Sequence, residues 1–393
     1  MSEPITLKGV STVASRLYPT TRRLFRQIVR ELKAFGFGTV LHPLTFSLMA
    51  IYVTGLLLLD RRQNGTRIAD WLPARTHDAI NRLLRTHAVS TRALMHRIIT
   101  WARSLGIAGY LAMDDVVVEK PFSRCVPWVG WTYSTSQKRK VRGLHIVVLL
   151  WCVGGWRMPV AFRIWRPKSC CRAKTYRKKT QLAWEMISEV YQEGLEITFI
   201  TGDTLYSGGW MVKKITRLGL TWVGTLHPRT IVVYRNRRQN AASLGESLRL
   251  KWRKRLQLRA RSIVAYLPKY GTLRLVVTRN RHGNVEVLAT NDLDSDLTTI
   301  VLRKRSRWSI ETLFRDTKQF AGLAACQSRV DQAMVRHVAF VLIAFIVLQR
   351  LRLHPEETLG EVKDRLQRDV FTGGLPAPGP LRGKVATSQL LTA

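Results

Sequence analysis

Acidic residues are scarce in this 393-residue chain: 26 Asp and Glu stand against 64 Lys and Arg, a formal charge of +38. Such an excess repels itself unless a polyanion neutralises it, and each cation set on a phosphate releases condensed counterions. Nucleic acid is therefore the leading partner, with an anionic membrane surface or the ribosome as the other sources of such a charge. Cysteine is sparse too. The five thiols (Cys125, Cys152, Cys170, Cys171, Cys326) form no C-x-x-C pair and lack zinc-finger spacing to any histidine. That excludes a zinc ribbon and leaves reduced thiols in a cytoplasmic protein. No phosphate-cradling P-loop is present, and no histidine stands beside a nucleophile as a hydrolase triad requires. Long apolar runs are few. Met1 to Pro19 has no continuous apolar core, so no secretory leader is expected. Residues 34–59 carry no charge, but Gly36, Gly38 and His42-Pro43 interrupt them. One buried helix from Pro43 to Leu59 is expected there rather than a membrane span, and Val338–Leu348 is too short to span and reads as a core helix.

Hydropathy periodicity divides what remains. Residues 1–105 read as helical, and within them Thr66–Leu72, Pro73–Thr76 and His77–Leu84 have the form of helix, turn and helix. A second helix of that kind enters the major groove, and this one would present Asn81, Arg82 and Arg85. Short helix pairs are also common in proteins that never meet DNA; the charge favours the DNA-binding reading here. After Gly106 the texture becomes strand-like: Gly109–Val118, Gly143–Val153, a Gly154-Gly155 hairpin turn, and Trp156–Trp165. An amphipathic helix over Lys174–Gly194 follows, then a strand over Leu195–Thr201, a helix over Gly209–Leu218 and a strand over Leu220–Leu226. Three meandering strands, then helix, strand, helix and strand, is the order of a ribonuclease-H-like mixed α/β sheet. This first part of the catalytic domain spans 106–226. Residues 227–287 interrupt the order as a basic β-rich insertion, and 288–350 return to it with Val287–Asn291 and a helix over Leu302–Phe320. Residues 351–393 read as a tail punctuated by Gly373–Pro380.

In so basic a chain, acids at apolar strand ends stand out. Asp114-Asp115 lies inside a strand, where paired carboxylates are costly unless a cation neutralises them; the bland alternative is a surface strand end or pairing to Lys. Asp203 ends a strand just before a helix, and a helix N-cap is its bland alternative. On one continuous helix, Arg307, Glu311 and Lys318 project within about 40° of one another, with Lys304 in the same sector and Ile310, Phe314 and Ala321 on the adjoining stripe. The spacing R-x3-E-x6-K arises by chance about a third of a time in a chain this basic, and a solvated i,i+4 Arg–Glu pair is the plain alternative. Asp292, Asp294 and Asp296 mimic a calcium loop but lack its Gly and its Glu, and read as a solvated loop.

Taken in order over residues 105 to 350, these segments resemble the bacterial insertion-sequence transposases whose acidic triad ends in a Y-x2-R-x3-E-x6-K signature, a ribonuclease-H-like, cut-and-paste group. The resemblance runs through Leu111–Asp115, Ile200–Tyr206, Ala289–Asn291 and Arg307–Lys318, then Gly322-Leu323 and Ser328-Arg329. It implies Asp203, Glu311 and one of the Asp114–Asp115 pair as catalytic, metal-binding acids; Asp114 is the choice and Asp115 the alternate. It implies two Mg²⁺ or Mn²⁺ ions, Arg307 and Lys318 as phosphate grips, and Lys304 where the family has Tyr. Trp252 in the insertion becomes a candidate for stacking a flipped base, a core Trp being the alternative. The function so implied is a nucleoid-associated DNA transposase. It would bind inverted-repeat ends through the helical N-terminal region, cleave there, and join the freed 3′-hydroxyl to target DNA, as a homodimer or larger assembly pairing two ends. A domesticated, catalytically silent DNA-binding protein and an RNA- or ribosome-binding protein are the rival readings.

Overall fold

The computed structural model describes residues 8–60, 63–123, 125–134 and 138–372. Six helices come first: α1 (Lys8–Ser15), α2 (Pro19–Ala34), α3 (Pro43–Leu58), α4 (Gly65–Trp71), α5 (His77–Arg85) and α6 (Thr91–Ser104). Pro43 opens α3 at the position where a missing N–H costs nothing, and His42 caps it. From Thr45 to Leu58 every side chain of α3 is buried, so its uniformly apolar sequence reflects neighbours on all sides. Asn64 caps α4 and Thr76 caps α5, which fixes the turn between them.

The strands follow as β1 (Gly109–Glu119), β2 (Gly130–Ser134), β3 (Arg139–Val153) and β4 (Trp156–Trp165). Then come α7 (Lys179–Gln192), β5 (Ile197–Gly202), α8 (Gly209–Arg217) and β6 (Trp222–Thr225). Gly154 and Gly155 turn β3 into β4 at φ of 50° and 85°, the left-handed backbone a two-residue hairpin needs. Strand order across the central sheet is β4-β3-β1-β5-β6; β3 and β4 run antiparallel, and β1, β5 and β6 parallel. This is a mixed sheet of the ribonuclease-H-like kind. The short edge strand β2, pairing the first residues of β3, is an addition the sequence reading does not contain.

Beyond β6 the chain forms β7 (Ile231–Tyr234), β8 (Arg237–Asn240), α9 (Ala241–Ser247), β9 (Lys251–Arg253), β10 (Leu258–Leu267), β11 (Gly271–Arg279) and β12 (Val285–Thr290). The segment expected as an insertion is β-rich, and it extends the same sheet: β12 pairs β6, followed outward by β11, β10, β7 and β8. Four helices complete the fold: α10 (Leu297–Arg305), α11 (Trp308–Phe320), α12 (Asp331–Arg350) and α13 (Leu359–Phe371).

Two expectations are corrected here. The single helix over Leu302–Phe320 is two helices, broken at Ser306-Arg307. Ser306 Oγ donates to the Arg303 carbonyl at 2.6 Å, and the Ser306 carbonyl accepts from the Ser309 N–H at 3.1 Å, a tighter i,i+3 bond, and from the Tyr110 hydroxyl at 3.2 Å. The span read as tail from residue 351 holds α13, started by a capping box in which Thr358 and Glu361 satisfy each other's backbone N–H groups. The Gly373–Pro380 stretch lies outside the described residues.

Helix α12 is longer than the apolar run Val338–Leu348 suggests. Among the described residues it is the one helix long and apolar enough to cross a membrane, and most of it is buried against other elements. It packs on α3 and α5 from the N-terminal region and on β4 of the sheet, so the N-terminal helices are built into the main core. At this junction His337 is fully buried. Its Nδ1 accepts from Tyr52 Oη at 2.8 Å, and its Nε2–H donates to the Gly322 carbonyl at 3.1 Å.

Candidate active site

Strand β1 lies between β3 and β5, which places Asp114 and Asp115 mid-sheet. Successive side chains point to opposite faces, and each face is covered by a helix. Asp114 turns toward α11, where its Oδ2 accepts from the Arg307 guanidinium at 2.8 Å. Arg307 also binds Glu311 one turn along. One arginine thus bridges a strand carboxylate and a helix carboxylate. Met113 is level with Gly202 in the parallel β1–β5 pair, so Asp203 follows just beyond the strand beside Asp114. There Asp203 Oδ1 accepts from the N–H groups of Leu205 (2.9 Å) and Tyr206 (3.3 Å), capping the one-turn helix Thr204–Tyr206. It is a helix cap and a member of the acid group at once.

The electrostatics follow from burial. Desolvation and then the neighbouring Asp203 charge push Asp114 up to about 7, against the pull of Arg307 and the Asp115 N–H. Asp203 is raised as well, first by burial, with the two backbone N–H groups and Arg307 opposing. These are carboxylates held together with too little positive charge among them.

Asp115 has the reverse character. Burial would raise it, but His145 and Lys179 outweigh that and hold it below the ordinary carboxylate range. Its Oδ2 accepts from Lys179 Nζ at 2.6 Å and meets His145 Nδ1 at 3.1 Å, and its Oδ1 accepts from the Tyr206 hydroxyl at 3.1 Å. His145 Nε2 in turn lies 2.8 Å from Thr132 Oγ1 on β2. Asp115 therefore ties β1 to β3, to the start of α7 and to the turn bearing Asp203. Asp115→Asn is expected to cost about 2–3 kcal/mol of stability, because Lys179 would be left partly buried without its counter-charge. Urea unfolding at pH 7 checks this, and a smaller loss in the Asp115→Asn/Lys179→Met double variant would identify the pair as the cause.

The other sequence candidates are placed as follows. Lys304 ends α10, on the far side of the break from Glu311, and pairs with Glu286 at 2.9 Å. It leaves the sector in which a continuous helix would have put it. Lys318 is exposed on the last turn of α11. Ile310, Phe314 and Ala321 are buried, as their stripe requires. Trp252 lies on β9 and is 48% exposed with Arg281 over its ring, so it is not a core residue. Asn81, Arg82 and Arg85 are exposed on α5. Asp292 pairs Arg303 at 3.0 Å and Asp296 caps α10, so that loop is occupied structurally. Sequence reasoning missed Lys179, His145 and Tyr206, which complete Asp115. Tyr206, three residues after Asp203, was the one within reach of a motif argument.

Among the described residues, no group of three His, Cys, Asp or Glu side chains is drawn together tightly enough to hold an ion as it stands. Arg307 occupies the space between Asp114 and Glu311 instead.

A search of curated proteins gives no match. A family model described as DDE superfamily endonuclease matches residues 41–265, more than half of the chain. The match begins just before α3 and takes in β1, β5 and the three aspartates Asp114, Asp115 and Asp203, while Glu311 lies beyond it. On that match, and with a mixed sheet of the right order beneath it, the chain belongs to the DDE superfamily of endonucleases.

Proposed function

We propose that the protein is a metal-dependent DNA transposase that cleaves at the ends of its element and transfers the cut strand, with Asp114, Asp203 and Glu311 as its acids. The observation that carries the reading is the Asp114–Asp203 pair. Two partly buried carboxylates, one pushed up to about 7, sit side by side at the head of a parallel strand pair with one arginine to balance them. An oxygen-only donor set short of positive charge suits a hard divalent cation such as Mg²⁺ or Mn²⁺. Asp114 and Asp203 would hold it, and Glu311 would join once Arg307 gave up its bridge. A pair of such ions activates the attacking oxygen and stabilises the leaving one.

The chain's own groups do the rest. Asp115, with every oxygen engaged, acts as the anchor rather than the ligand, which supports Asp114 as the first acid. Arg307, released from the carboxylates, is the cation closest to a phosphate at this site, and Lys318 lies further along the same helix. The exposed Asn81, Arg82 and Arg85 of α5 form the surface for element-end duplex, and a homodimer pairs two such ends on the nucleoid. Trp252, exposed among basic neighbours on a strand well across the sheet from the acids, fits a stacking role on the bound DNA.

The test is a nicking assay on element-end duplex with Mg²⁺ or Mn²⁺. Wild type should nick, Glu311→Gln should lose at least about a hundredfold of the rate, and EDTA should abolish it. Equal nicking by wild type and Glu311→Gln would remove Glu311 from the site.

A further inference from the structure

The β2–β3 hairpin carries a second, separate surface. In its register Trp131 faces Arg142 and Tyr133 faces Lys140, and residues directly opposite in an antiparallel pair share a face. Trp131 is 73% exposed and Tyr133 60%, unusual values for aromatic side chains with a sheet to pack on. Neither Lys140 nor Arg142 is paired with a carboxylate among the described residues. On the adjoining turn Phe122 is 96% exposed. The opposite face of the hairpin is buried and anchored: Val141 is in the core, and Thr132 meets His145 of the Asp115 network. The hairpin thus fixes its back to the sheet near the acids and turns two rings and the exposed Lys140 to solvent, with the half-buried Arg142 beside Trp131.

We infer that this face binds single-stranded DNA, stacking unpaired bases on Trp131 and Tyr133 while Lys140 and Arg142 hold the intervening phosphates. Rings two residues apart on one strand are about 7 Å apart, close to the spacing of successive phosphates in an extended strand. A purely apolar protein partner would have no use for the two cations, whereas a polyanion with π-faces uses both kinds of group. The strand in question is one that becomes unpaired beside a cut. The inference rests on DNA being the substrate and not on which acids cut it.

Anisotropy of a fluorescein-labelled 16-mer of thymidylate tests it with the full chain, with a labelled duplex of equal length measured alongside. The double variant Trp131→Ala/Tyr133→Ala should bind the single strand at least about tenfold more weakly, since stacking contributes on the order of tenfold per base. Its duplex affinity should change less than about threefold, and its Tm should hold because both rings are exposed. Lys140→Glu/Arg142→Glu should weaken the single strand likewise, with a shallower salt dependence than wild type, so that the deficit grows as salt falls. Unchanged single-strand affinity in the aromatic variant overturns the inference. So does equal loss on both probes, and so does a loss of self-association by light scattering with DNA binding intact, which would make the face a contact between copies of the chain. Failure of wild type to bind the duplex would count against the proposed function instead.

Discussion

Asp203→Asn is expected to lower strand cleavage by about 10³-fold or more and to leave Tm unchanged or raised. The two halves have one cause. Asp203 lies partly buried beside Asp114, and each charge is disfavoured by lost solvation before any partner is counted. Neutralising one member removes a repulsion from the folded state while keeping the oxygen that caps Leu205 and Tyr206. It also removes one of the three carboxylates proposed to hold the cation. Several kcal/mol of transition-state stabilisation reside in such an ion, and each factor of ten corresponds to about 1.4 kcal/mol. Asp114→Asn should behave in the same way. For wild type, Mg²⁺ at millimolar concentration should raise Tm at pH 8, and neither variant should respond to the same extent. Differential scanning fluorimetry with and without Mg²⁺, beside a nicking time course, reads both effects. A fall in Tm of several degrees together with retained cleavage would contradict the assignment.

Lowering the pH from 7 to about 4 is expected to remove about 3 kcal/mol of stability through His337 alone. Burial, then the nearby Lys120 charge, hold its pKa down to about 4, against an ordinary value near 6.5. Its two ring nitrogens are matched to a neutral imidazole, one accepting from Tyr52 and the other donating to Gly322. Between the two pKa values the unfolded chain binds a proton that the folded chain does not. Stability is therefore fully held above about 6.5 and declines as pH falls toward 4. The ring joins α3 to α12, so the loss falls on the contact that unites the N-terminal helices with the C-terminal ones. Urea unfolding of wild type and His337→Asn at pH 7 and pH 4.5 separates this residue from the other titrating groups. Wild type should lose more between the two pH values, and equal losses would contradict the prediction.

The parts of the fold that were readable owe this to local chemistry. The apolar texture of 109–118 and 143–165, with two glycines between its last two strands, determines β1, β3 and β4 because strand and turn there need nothing from afar. The acids were conspicuous because the chain has few. Other features depend on tertiary contact and leave no local trace. The break at Ser306-Arg307 involves no Gly or Pro; it coincides with two tertiary contacts, Tyr110 on the Ser306 carbonyl and Asp114 on the Arg307 side chain. Asp114 and Asp115 were indistinguishable from alternation because both faces of β1 are covered, one by α11 and the other by α7. Only the partners, Arg307 on one side and Lys179 with His145 on the other, give the two acids different characters. The helix α13 did have a local sign, the Thr358-x-x-Glu361 capping box ahead of Val362 and Leu366, concealed by the Gly- and Pro-rich residues after it.

A divalent cation is expected to bind between Asp114 and Asp203, with Glu311 joining once Arg307 leaves its bridge. Substituting Fe²⁺ for Mg²⁺ and adding ascorbate and peroxide generates hydroxyl radicals that cut the polypeptide within a few ångströms of the bound iron. Backbone cuts are expected beside residues 114, 203 and 311, suppressed by excess Mg²⁺ and absent in Asp203→Asn. Cuts confined elsewhere, for example to the Asp292–Asp296 loop, or the same pattern in Asp203→Asn, would contradict it.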